Sequence, residues 1–129
     1  MAPIISIVDD DISVRKSLGR LMRSAGMGVR VFASAEEFLN SAYPRKADCL
    51  ILDVQLPGMS GAELLRHLNM HKYKVPVIFI TAHGSDEQAR SEAASSDWTV
   101  AYLIKPFSGD ELLDAVNAAL KWKPNNSGT

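Results

Sequence analysis

In this chain of 129 residues, four apolar runs each end in side chains able to do chemistry. "IISIV" leads into Asp9 and Asp10, "LIL" into Asp53, "VIFI" into Thr81 and "YLI" into Lys105. An ionised carboxylate in apolar surroundings is costly unless it is paired, holds a metal or sits at the exposed end of a strand. If the fold gathers Asp9, Asp10 and Asp53, their mutual repulsion favours a bound cation. An all-oxygen set with few carboxylates suits Mg²⁺, with Mn²⁺ as a substitute, better than Ca²⁺, which takes about six to eight oxygens. Such an ion serves phosphate chemistry, to which Lys105 would add a point charge and Thr81 a hydroxyl. Within that frame Asp53 can act as a nucleophile on phosphorus and form an aspartyl phosphate.

Bringing these residues together requires strand ends that lie side by side. Short β-rich runs recur at Ile4–Val8, Gly28–Phe32, Cys49–Leu52, Val75–Ile80 and Val100–Ile104, and each is followed by a segment with helical signals. This alternation predicts one α/β domain, a parallel sheet with helices on both faces. Ligands of such sheets bind outside the carboxyl ends of the strands, where the chain order reverses. Val14, Leu18, Leu21, Met22 and Ala25 share one face of a first helix, which Asp11 caps and Gly26 stops. Capping-box pairs at Ser34/Glu37, Ser60/Glu63, Ser85/Gln88 and Ser108/Glu111 mark four more helix starts. The helix from Ser85 to about Ser95 offers only Ala89, Ala93 and Ala94 to the core, so it is expected to be the least firmly packed of the five. Leu112, Leu113, Val116 and Leu120 form the inner face of the last helix. The domain is read as residues 1–122, with 123–129 a polar linker or disordered tail.

The set Asp9-Asp10, Asp53, Thr81 and Lys105-Pro106, carried in "IVDDD", "LDVQLPGMSG" and "YLIKPF", resembles the CheY-like receiver domain of two-component response regulators, in particular the FixJ/NarL type. The resemblance implies a flavodoxin-like (βα)5 fold, a doubly wound five-stranded sheet of order 2-1-3-4-5. It implies that Asp53 is the phosphoacceptor for a phosphohistidine on a sensor histidine kinase. Asp10, Asp53 and the backbone carbonyl of Gln55 would hold Mg²⁺, with Asp9 acting through water. Lys105 would contact the phosphoryl oxygens, with the Lys105-Pro106 peptide cis. Thr81 and Tyr102 would be the switch pair, changing the surface of the fourth helix, fifth strand and fifth helix. That change would control output, transcriptional in this family type, through homodimerisation. The only catalysis implied is assistance to the chain's own phosphorylation and dephosphorylation, which is not that of an enzyme acting on other substrates.

Composition narrows the partners. With a net charge of −1 the chain carries no nucleic-acid footprint, so it is not expected to bind DNA alone. The DNA-binding part of FixJ/NarL-type regulators is not among these residues, which leaves open a single-domain receiver and a piece of a longer regulator. Neither a leader pattern nor an apolar window near ~20 residues is present, so a cytoplasmic protein without a membrane partner is expected. Cys49 is the only cysteine and reads as a small core residue. His67, His71 and His83 form no ligand set by spacing, and Trp122 reads as helix-end packing. Two places depart from the receiver pattern: His83, where the side chain tunes phosphoryl lifetime, and Trp98-Thr99, where a small Gly-Ala pair is common and an indole bears on the output face. Two other classes start from similar residues. A hydrolase of the haloacid-dehalogenase type needs a second Asp two residues after its nucleophile, where this chain has Gln55. A receiver-like module that never carries phosphate would keep the fold, but nothing in the sequence favours it.

Overall fold

Side-chain alternation along the strands decides the architecture. In β1 (Ile4–Val8), Ile5 and Ile7 point one way and Ser6 and Val8 the other, and all four are buried, so the strand needs cover on both faces. The computed structural model, which describes residues 2–82 and 87–122, supplies that cover. β1 pairs in parallel with β2 (Gly28–Phe32) and β3 (Cys49–Asp53), β3 with β4 (Val77–Thr81), and β4 with β5 (Thr99–Ile104). The resulting order, β2-β1-β3-β4-β5, is the doubly wound sheet expected from the sequence.

Helices α1 (Ile12–Ser24) and α6 (Gly109–Leu120) pack Leu18, Met22, Leu112 and Val116 onto Ile5, Ile7, Ile51, Ile78 and Ile80. Helices α2 (Ala35–Leu39), α4 (Gly61–Met70) and α5 (Glu87–Ser95) cover Val8, Leu50, Leu52 and Phe79 on the other face. α5 contributes only Ala89 and Ala93 to that core. Cys49 is fully buried among apolar neighbours, and burial pushes its thiol up to about 12.

Local signals read from the sequence hold at most ends. Asp11 caps α1 by accepting the Ser13 N–H at 2.8 Å, and Gly26 follows the helix with φ of 85°, a left-handed conformation that costs a glycine little. Reciprocal capping boxes open α4 through Ser60 and Glu63 and α6 through Ser108 and Glu111. At α2 Ser34 accepts the Glu37 N–H. Ser85 lies outside the described residues.

Five expectations are corrected. The segment after β2 forms two helices, α2 and the single turn α3 (Tyr43–Lys46), because Pro44 has no N–H to continue α2 and Ser41 bonds both the Phe38 carbonyl and the Tyr43 N–H. β4 starts at Val77, after Pro76, which has no donor to extend the ladder. β3 runs on to include Asp53, and β5 begins at Thr99. Ala25 and Ala94, assigned to inner faces, are exposed, since each lies at the edge of its helix's apolar stripe.

Candidate functional site

Each site residue stands at the carboxyl end of a strand, held there by ladder bonds. Asp9 follows β1, and its N–H donates to the Phe32 carbonyl of β2 at 3.1 Å. Asp53 is the last residue of β3 and lies opposite Ile80, whose carbonyl accepts the next N–H, that of Val54, at 3.0 Å. Thr81 ends β4 and is fully buried; its carbonyl accepts the Lys105 N–H at 2.8 Å, so the hydroxyl and ammonium residues share one backbone bond. The Lys105-Pro106 peptide is cis.

Asp9, Asp10 and Asp53 each offer a carboxylate oxygen within 4.8 Å of the others. Asp9 is fully buried, Asp53 is 7% exposed and Asp10 is exposed, so the cluster opens to solvent on the Asp10 side. Asp9 Oδ1 accepts the Asp11 N–H at 2.9 Å, and Asp53 Oδ1 accepts the Gln55 N–H at 3.1 Å, which holds the start of the turn after β3 at the site. Asp9 Oδ2 is buried without a hydrogen-bond partner and faces Lys105 Nζ at 3.7 Å.

Burial, then the neighbouring Asp9 charge, raises the Asp53 carboxyl to about 6, against the pull of the Gln55 N–H and Lys105. Burial raises Asp9 as well, partly opposed by the Asp11 N–H and by Lys105. Asp9 and Asp53 share the pull of one lysine, and a divalent cation among the three carboxylates would offset both the burial and the repulsion. The donor set is all oxygen and contains Asp9 Oδ2, which is buried without a hydrogen-bond partner, and this fits Mg²⁺.

Sequence reasoning missed the residues that brace this cluster. The Arg15 guanidinium donates to the Asp9 carbonyl at 2.8 Å and ties α1 to the acidic loop. Glu36 of α2 accepts the Met59 N–H at 3.1 Å and steadies the turn after Asp53. Gly61 touches the strand backbone so closely that a Cβ there would lie 2.6 Å from the Asp53 carbonyl oxygen, so α4 can start beside the site only with a glycine. The "PGMSG" turn held a hint of that last requirement; the Glu36 bond joins elements 23 residues apart and leaves no local trace, and the Arg15 bond, though it spans only six residues, depends on how α1 packs at the end of β1.

Tyr102 of β5 lies apart from the carboxylates. Its ring meets Phe79 at 5.8 Å and has the Arg90 guanidinium of α5 over it at 5.0 Å from the centroid. His83 lies outside the described residues. Trp98 sits at the amino end of β5, its carbonyl accepting the Val77 N–H, and with Trp122 lines a groove at the opposite end of the sheet from the carboxylates. The Trp122 indole donates to the Asp97 carbonyl at 2.7 Å, the packing role expected of it. Among the described residues no helix is long and apolar enough to cross a membrane.

Comparison with known proteins agrees with this geometry. The family model described as "Response regulator receiver domain" matches residues 5–117. Nodulation protein W of Bradyrhizobium diazoefficiens is 47% identical over 119 residues, which are 90% of this chain and 50% of that protein. The transcriptional regulatory protein FixJ of Azorhizobium caulinodans is 38% identical over 116 residues, 90% of this chain and 54% of that protein. The crystal structure of FixJ-N superposes with a TM-score of 0.81 at 35% identity, covering 94% of this chain and 95% of that one. The chain thus spans about half the length of the curated relatives it matches. With the family model covering most of its length and the CheY-like sheet beneath it, the chain belongs to the response regulator receiver domains of two-component systems.

Proposed function

We propose that this chain is a phosphorylation-dependent switch whose phosphoacceptor is Asp53. An Asp53 carboxylate oxygen attacks the phosphorus of a phosphohistidine on a sensor histidine kinase; a P–O bond forms, the P–N bond breaks, and the imidazole nitrogen keeps the electron pair. The observation that carries this reading is the convergence of Asp9, Asp10 and Asp53 around a buried carboxylate oxygen with no hydrogen-bond partner. Asp10, Asp53 and the Gln55 carbonyl would hold the cation, with Asp9 acting through water. Bound Mg²⁺, or Mn²⁺ in its place, neutralises charge on the phosphoryl oxygens. Lys105 holds the same oxygens, and the Thr81 hydroxyl turns toward them. A groove of about 850 Å³ beside the site, lined by Val14, Leu18, Leu21, Lys105, Pro106 and Phe107, supports the docking of a kinase element.

The switch then passes from Thr81 through Tyr102 to the face formed by α5, β5 and α6, the fourth and fifth helices of the sequence reading. Phosphorylation biases that face only through contacts that differ between its two states. The alanine-only core side of α5 and the 46% exposure of Ile104 support this face as the one that changes and pairs with a second copy. The output is transcriptional, as the name of the FixJ relative suggests, and is delivered by a DNA-binding domain rather than by these residues. The chain works in the cytoplasm and catalyses nothing beyond its own phosphorylation and autodephosphorylation.

Intact-mass spectrometry after incubation with acetyl phosphate, with and without Mg²⁺, tests the reading on the wild type and on Asp53→Asn. A gain of one phosphoryl group that requires both Mg²⁺ and Asp53 is expected. No gain with the protein folded would leave a receiver-like module that never carries phosphate.

A further inference from the structure

The histidines received no ligand role from their spacing, yet the fold stacks two of them. His67 and His71 lie one turn apart at the carboxyl end of α4, their ring centroids 4.2 Å apart and their planes 38° from parallel. Met70 stands between them in sequence, three residues after His67, so on the helix surface His67 neighbours both Met70 at i+3 and His71 at i+4. It is 72% exposed, more than any other large apolar side chain among the described residues. At that exposure the Met70 thioether contributes little to the core.

We propose that His67, Met70 and His71 form a binding site for monovalent copper. Two imidazole nitrogens and a thioether sulfur make a soft set, which selects Cu(I) over the hard ions that suit the carboxylate cluster. The frame is rigid. The His71 N–H donates to the His67 carbonyl at 3.0 Å, and Tyr73 and Lys72 close the next turn on Leu68 and Asn69. His71 is exposed and free to turn its ring toward a shared ion. The site also sits at the negative end of the α4 dipole, which favours a cation. Exposed Arg66 and Lys72 flank it and oppose that attraction, which an ion of single charge feels least. Cys49, the chain's one thiol, is fully buried and offers no surface competitor. α4 begins against Asp53 and rises about 15 Å to this turn, so the two sites are separate. Asn69 accepts from Ser96 Oγ at 3.1 Å, so the copper turn is joined to the chain leaving α5.

An anaerobic Cu(I) titration of the full chain against the chromophoric chelator bicinchoninate tests the site. The wild type is expected to take one Cu(I), His67→Ala/His71→Ala to take none, and Cys49→Ala to match the wild type. Met70→Leu keeps the shape but removes the sulfur; it is expected to weaken Cu(I) about tenfold or more. Copper held as tightly by the double histidine variant, or by Met70→Leu, would overturn the site. Loss of copper on Cys49→Ala would assign it to the thiol and overturn it equally.

Discussion

β4 and β5 are hydrogen-bonded neighbours built to opposite specifications. Every residue of β4 is buried, as is every residue of β3 beside it, and large side chains cover both faces. No residue of β5 is fully buried, Ile104 is exposed, and the helix beside it offers the core two alanines. The proposed phosphoryl transfer needs carboxylates held to fractions of an ångström, and Asp53 and Thr81 end the two fully buried strands. A switch needs two arrangements of similar free energy, and a region that buries little apolar surface supplies them. The site and its proposed readout therefore meet at the β4–β5 seam, where Thr81 and Lys105 share a backbone bond.

The largest effect that would break this contrast is in the core of the site half. Leu52→Ala leaves a cavity on β3 and is expected to cost about 2–5 kcal/mol by urea denaturation; a cost below about 1 kcal/mol would mean that the site half is not the rigid one. Amide exchange gives the next comparison. Residues 87–95 are expected to open about a hundredfold more readily than residues 49–53 and 77–81, and equal protection would remove the basis for a mobile α5.

Charge sharpens the contrast within the site. Asp53 has a raised carboxyl, about 6 against an ordinary 3.8, so the folded state holds its proton more tightly than the unfolded state does. Stability is therefore fullest below about pH 4 as far as this group is concerned, and is lost as pH rises to about 6. Asp53→Asn, measured in EDTA at pH 7, is expected to gain about 1–2 kcal/mol and to flatten that slope. Mg²⁺ is expected to stabilise the wild type and to have little effect on the variant. The smallest effect is Arg90→Ala, which removes the guanidinium from the Tyr102 ring and is expected to cost about 0.5–1 kcal/mol. A shift of the Tyr102 ring resonances in its NMR spectrum would show that Arg90 holds the ring in place; unchanged resonances would make that contact incidental.

Much of the fold was legible because its signals are local. Caps act over three residues, as at Ser60/Glu63 and Ser108/Glu111, and strand burial shows as apolar runs. The division of the second helix was missed because Ser34 and Glu37 announce a start, while Pro44 and Ser41, which divide it, act farther on. Asp9, Asp10, Asp53, Thr81 and Lys105 were legible from their places after apolar runs, since a parallel sheet aligns all such ends on one edge.

By itself the sequence located the strand ends to within a residue, marked how most of the helices begin, and showed that three carboxylates, if gathered, would need a counter-charge. Only the tertiary structure decided how they meet: the 3.7 Å approach of Lys105 to Asp9, the Glu36 bond to the Met59 N–H, and the closing of Asp9, Asp10 and Asp53 to within 4.8 Å of one another. The reason is range. A cap or an apolar run is fixed by neighbours a few residues away, whereas these distances depend on the twist of the sheet and on the packing of helices from distant parts of the chain.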